Sequence, residues 1–200
     1  CLFIDSPSTD ISEDEKTAII DYLENGGKAL IFSEYTEESM DNFDAVLQNY
    51  GVERTDGIVI EGDSQHYAQM PYYLIPTVNS TDAISDFASK GYYVLMPYAQ
   101  GIKQTDNLRD TVTVNSLLTT SDSAYSKVDV NSGTIDKSDD DIDGPFDLGV
   151  SITETLDDDK ETQIVYYTSS NLMDSQINQM VSGGNEQMIM SSLNWMCSSD

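Results

Sequence analysis

The tightest chemical spacing in the chain is Asp139-Asp140-Asp141-Ile142-Asp143-Gly144. It matches D-x-D-x-D-G, the front half of a calcium loop, where alternate carboxylates converge on the ion and the glycine permits a sharp turn. Asp139, Asp141 and Asp143 are therefore the expected ligands for Ca2+. A full loop closes with a bidentate glutamate at its twelfth position, which here is Val150, so Asp147 would have to close a shortened site. The same residues also read as a plain acidic surface loop, residues 132–144, with no apolar period.

Other chemistries find less material. A phosphate cradle needs glycines that let bare backbone approach the anion. The first loop that could serve, Asp5-Ser6-Pro7-Ser8-Thr9-Asp10, has none and carries carboxylates that would repel phosphate. A Ser-His-Asp triad would have to use His66, the single histidine, and no G-x-S-x-G elbow accompanies it. His66 is expected to face solvent from a polar loop. Cys1 and Cys197 stand at the two ends, away from any strand-to-helix elbow, and no C-x-x-C pair is present for zinc. Arg54 and Arg109, the two arginines, lie in polar segments without a partner motif. The sequence assigns no catalytic residue.

Aromatic residues offer a binding chemistry instead. Tyr67, Tyr72, Tyr73, Tyr92, Tyr93, Tyr98, Tyr166 and Tyr167 lie in or beside expected strands. A Tyr-Tyr doublet in a strand sends one ring inward and one outward. Outward rings would suit a glycan or peptide surface, and inward ones the core.

Charge narrows the partners. Thirty-six acidic residues against nine basic ones give a formal net charge of −27. Such a field repels phosphate backbones and anionic head groups, so nucleic acid is excluded as a partner. No run approaches the length of apolar residues that spans a bilayer, and no signal segment is recognisable. The chain opens inside an apparent strand. It is therefore expected to be a single α/β domain, residues 1–200, cut from a longer protein.

The elements that must position these residues begin with a βαβ unit. Leu2-Phe3-Ile4 is a short apolar run stopped by Asp5-Ser6-Pro7. Ser12 and Glu15 have capping-box spacing, so a helix is expected from Glu13, with Ala18, Ile19, Tyr22 and Leu23 on one face. Asn25-Gly26-Gly27 ends it, and residues 28–32 form a second, parallel strand. A second helix over residues 38–50 and a third parallel strand from Ile58 complete βαβαβ. Further on, strands are expected at 72–78, 92–96, 112–118, a half-buried one at 148–152, and 163–167. Helices at 174–181 and 185–197 close the chain. The expected fold is an open, mostly parallel sheet with helices on both faces, flavodoxin-like or class I glutamine amidotransferase-like, with antiparallel additions in the second half.

The stretch from Pro7 through Asp10-Ile11-Ser12, Glu15, an apolar helix and Gly26-Gly27 resembles the GldG-like auxiliary domain of ABC transporters. Gly144-Pro145-Phe146 before an apolar strand and the ending Gly184-Asn185 to Leu193-Asn194-Trp195-Met196 are similar too. Tyr125 departs from the family, which carries a tryptophan after the stretch that here is Leu118-Thr119-Thr120-Ser121. The resemblance implies a non-catalytic extracytoplasmic domain, anchored by flanking transmembrane helices and partnered with ABC permease and ATPase subunits. Two other readings stand beside it: a hydrolase or amidotransferase-like enzyme on the same fold, and a carbohydrate-binding surface module.

Overall fold

The computed structural model describes residues 1–156 and 160–197. Its first unit follows directly from local signals. β1 (Leu2–Asp5) runs parallel to β2 (Lys28–Phe32), with Leu2 opposite Ala29 and Asp5 opposite Phe32. Between them lies α1 (Glu13–Glu24). The Ser12 amide donates to the Glu15 carboxylate at 2.8 Å and the Glu15 amide donates to Ser12 Oγ at 3.2 Å, a reciprocal cap that satisfies two orphan donors. The helix ends at Asn25, and Gly26 takes φ +86°, a left-handed turn that suits glycine.

The remaining elements, in chain order, are α2 (Asp41–Asn49), β3 (Val52–Arg54), β4 (Ile58–Ile60), β5 (Tyr73–Leu74), β6 (Thr77–Val78), α3 (Ser85–Ala88), β7 (Met96–Pro97), β8 (Ile102–Gln104) and β9 (Val112–Thr119). After these come β10 (Tyr125–Lys127), β11 (Ile142–Asp143), β12 (Asp147–Thr155), β13 (Glu161–Tyr167), α4 (Ser175–Met180) and α5 (Gly184–Cys197). The main sheet runs β1-β2-β13-β12-β8-β3, with β9 on β12 and β6 on β9.

The sheet is mixed rather than mostly parallel. Among the described residues, parallel pairing is confined to β1, β2 and β13; β12 is antiparallel to β13, β9 and β8. The strand from Ile58 is not the third parallel strand. β4 pairs antiparallel with β10 in a separate sheet of β11, β10 and β4. The place beside β2 goes to β13, whose register runs from Gln163 opposite Lys28 to Tyr167 opposite Phe32. A seven-residue strand buried on both faces removes more apolar surface from water than three residues of β4 could.

Two apolar layers sandwich this sheet. Ala29, Ile31, Val150, Ile152, Ile164 and Tyr166 pack with Leu23 of α1 and with Phe43, Val46 and Leu47 of α2. Leu30, Phe32, Leu148, Val165 and Tyr167 pack on the other side with Phe87 of α3 and Met188 and Met196 of α5. Alternation along each strand assigns the residues to the two faces. Because both faces are covered, β12 is buried almost throughout, not half-buried as its pattern reads. The same covering buries both rings of Tyr166-Tyr167, each 0% exposed. Gly149 makes room for one of them, since a Cβ there would stand 2.5 Å from the Tyr167 ring.

Other boundaries shift for tertiary reasons. α2 begins at Asp41 because Asp10, from the loop after β1, accepts from the amides of Asn42 and Phe43 at 2.9 and 3.0 Å. Residues 92–95 are not strand; Tyr93 is 70% exposed, and Tyr92, 39% exposed, lays its ring on the buried Phe87, 5.9 Å between centroids. The acidic loop contributes the two residues of β11. β3 and β8, short and half-polar, pair with each other and extend the main sheet.

Candidate functional site

The parallel strands deliver polar side chains to their carboxyl ends, where open α/β sheets bind ligands. Ser33, just past β2, is buried and hydrogen-bonds Tyr166 Oη at 2.7 Å. Burial pushes the Tyr166 phenol well above its ordinary range, with Ser33 and Arg54 opposing, so it stays neutral. Beyond them a cleft of about 480 Å³ opens between the segment after β2 and the turn between β3 and β4. That volume is sized for a small molecule.

Arg54, at the end of β3, forms its floor. Nε donates to Asp44 Oδ1 at 2.8 Å, Nη2 to Asp44 Oδ2 at 3.0 Å, and Nη1 to Gln100 Oε1 at 3.2 Å. Gln100 is held in turn by its Nε2 donating to the Thr55 carbonyl at 3.0 Å. The guanidinium lies over the Phe43 ring, 5.6 Å from its centroid, and the side chain is only 10% exposed. Burial by itself would lower its pKa, but the hydrogen bonds it donates to Asp44 and the nearby negative groups outweigh that and raise it.

The rim has the opposite sign. Glu37, Glu38 and Asp56 are exposed and line the same cleft. Tyr35 stands among them; burial raises its phenol pKa, and Glu37, Asp56 and Asp129 push the same way. A neutral phenol, a fixed guanidinium and a ring of carboxylates make a polar recognition site.

The residues singled out in the sequence lie elsewhere. The Asp141 side chain is fully covered; its carboxylate meets Lys127 Nζ at 3.0 Å and accepts from the amides of Ser138 and Val128. Asp143 pairs with Lys137, and Asp139 is exposed. Among the described residues no three His, Cys, Asp or Glu side chains gather as a metal set. His66 is half-buried rather than facing solvent, and its Nδ1 is sealed without a described partner. Asp5 is exposed, and Cys1 and Cys197 are free and exposed. The tyrosines do assemble in part. Tyr72 and Tyr98 stack at 5.0 Å with Tyr73 against them, and Tyr98 takes the strained φ of 56°.

Arg54, Asp44 and Gln100 were not legible as a set. Their separation, 10 and 46 residues, carries no motif. The one available signal was an arginine in a chain this poor in cations.

A second cleft, of about 500 Å³, contains Asp147, Asp122 and Lys103. Burial raises the Asp147 carboxyl pKa, with Ser116 opposing. It sits at a register shift in β12, where the pairing slips between Asp147 and Gly149.

These features define an α/β protein with a mixed central sheet and helices on both faces. No family model matches the chain, and no curated protein matches it in sequence. Several solved structures match, two of them as follows. The mmIFT52 N-terminal domain has a TM-score of 0.68 at 14% identity, over 99% of this chain and 77% of its own. A ThuA-like protein from Bacteroides uniformis has a TM-score of 0.48 at 15% identity, over 98% of this chain and 68% of its own. At such identities the likeness concerns the fold alone, and the second is too loose to carry an argument. No helix among the described residues is long and apolar enough to cross a membrane.

Proposed function

We propose that this chain is a non-catalytic binding domain that positions a partner or small ligand. Following its resemblance to GldG-like domains, it does so on the extracytoplasmic face of an ABC-type transport system, beside permease and ATPase subunits and anchored by flanking membrane helices. The observation that carries the binding half is the cleft beyond β2. Arg54, Asp44 and Gln100 there hold one another in fixed geometry, which favours recognition because little freedom remains to be lost on binding. The flavodoxin-like or amidotransferase-like assignment belongs to the same proposal, supported by the parallel trio β1, β2 and β13 between two helical layers. The transport half rests on the ordered motifs from Pro7 to Trp195. In-cell crosslinking of the full-length protein tests it: permease or ATPase subunits should be recovered, and a soluble parent without them would remove the transport reading.

One observation favours the enzyme reading. Asp147 is a carboxyl whose pKa burial raises, and it lines a cleft, the setting in which a general acid is found. Esterase, peptidase, glycosidase and glutaminase assays decide between the two. Turnover lost in Asp147→Asn would establish catalysis, and the binding reading expects no such turnover.

A further inference from the structure

Three ligand types can be set against the cleft beyond β2, and its charges discriminate among them. Arg54 has five N–H groups, of which three are engaged by Asp44 and Gln100. The other two have no acceptor among the described residues, although the side chain is nine-tenths buried and lines the cleft. Open donors of a charged group on a cleft wall suit an anionic acceptor, since charge-assisted bonds are the strong ones.

A simple anion would satisfy them but must pass Glu37, Glu38 and Asp56 and sit beside Asp44, all of its own sign. A simple cation would suit that rim and leave the arginine donors unpaired. A ligand carrying both charges meets both demands. Tyr35 adds a neutral hydroxyl and an aromatic ring at the rim, and an ammonium group is attracted to such a ring face.

We propose that the cleft receives a small zwitterion of the amino-acid kind, its carboxylate on the free N–H groups of Arg54 and its ammonium among Glu37, Glu38 and Asp56. This deepens the reading of the chain as a binding domain and rests on it. Asp44 has a defined part: it holds the guanidinium side-on, leaving the free N–H groups for the ligand. Gln100 fixes the remaining rotation.

The test is a calorimetric titration of the chain with the L-amino acids and glycine betaine. Each amino acid is compared with its amide, which keeps only the cation, and its N-acetyl form, which keeps only the anion. Ionic strength is physiological, so that exposed charges more than about 8 Å apart are screened. At least one zwitterion should bind about tenfold or more tighter than either derivative. Glu37→Gln combined with Glu38→Gln should weaken it severalfold while leaving the fold intact, since both side chains are exposed. Arg54→Lys should weaken it by about tenfold, because a lysine cannot serve Asp44 and a carboxylate as a planar fork does. If that variant fails to fold, the rim variant still decides. Amides binding as tightly as their parents, or no zwitterion binding at millimolar concentration, would overturn the proposal. Either result leaves the crosslinking test of the transport reading untouched, so the two fail separately.

Discussion

Lys127 and Asp141 face each other across 3.0 Å with side chains only 6% and 0% exposed. The pair is held on every side. Lys127 also donates to the Asp136 carbonyl at 2.8 Å, and the Asp141 carboxylate accepts from the amides of Ser138 and Val128 at 2.8 and 3.0 Å. This ion pair thus adds to the pairing of β11 with β10 in fastening the acidic loop. Removing one charge leaves the other buried without a counterpart, so Asp141→Asn should cost about 3 kcal/mol in urea unfolding. An unchanged midpoint would mean that the loop opens freely to water.

The same pair predicts an acid limb. Burial by itself would raise the Asp141 pKa, but the amides of Ser138 and Val128 and the Lys127 ammonium bring it down to about 2, from an ordinary 3.8. A carboxyl with a depressed folded pKa stabilises above its unfolded value and loses that contribution as pH falls through the folded one. Stability from Asp141 should therefore be complete above about pH 5 and disappear towards pH 2. Between those values Asp141→Asn should show a flatter stability profile than the parent chain.

Calcium binding by Asp139, Asp141 and Asp143 would require Asp141 to leave Lys127. With that carboxylate engaged, Ca2+ and Mg2+ at equal millimolar concentration should raise the melting temperature equally, by screening a net charge of −27. A larger effect of Ca2+, abolished by Asp141→Ala, would establish the loop as a calcium site.

Arg109 and Glu154 form the second structural fork, Nε to Oε1 and Nη2 to Oε2 both at 2.9 Å, with Thr111 Oγ1 donating to Oε1 at 3.0 Å. Glu154 is 7% exposed and Arg109 is 41% exposed. Arg109→Ala should destabilise by about 2 kcal/mol, below the cost for a fully buried pair because water reaches the arginine side. Arg109→Lys should recover only part of this, since the charge returns without the fork. Equal stability of both variants would assign the loss to packing over Tyr50, whose ring centroid is 5.4 Å from the guanidinium.

Ser6 combines φ 39° with a sealed hydroxyl that has no described partner. Both features are unfavourable, and glycine removes both. Ser6→Gly should raise stability by about 0.5–1 kcal/mol, offset in part by the greater freedom of glycine in the unfolded chain. A loss of stability would show that the hydroxyl makes a bond through water.

The sequence by itself determined the pieces whose forces act over a few residues. Ser12 and Glu15 lie within one turn of each other, so the start of α1 at Glu13 could be read from their types. Gly26 marked the end of that helix for the same local reason, and the runs Ala29 to Phe32 of β2 and Ile164 to Tyr167 of β13 were legible because burial on both faces leaves no charged residue in them. Partner choice was decided by the tertiary structure. Nothing local tells β4 that the edge of β2 belongs to β13, which arrives about 100 residues later and buries more surface. Nor could Asp10 be read as the cap of α2, or Asp44 and Gln100 as the partners of Arg54, because those bonds join segments brought together only by the sheet. Asp141 shows the limit most clearly: its spacing within D-x-D-x-D-G is local, but its partner, Lys127, lies outside the motif and reaches it only once β10 is in place.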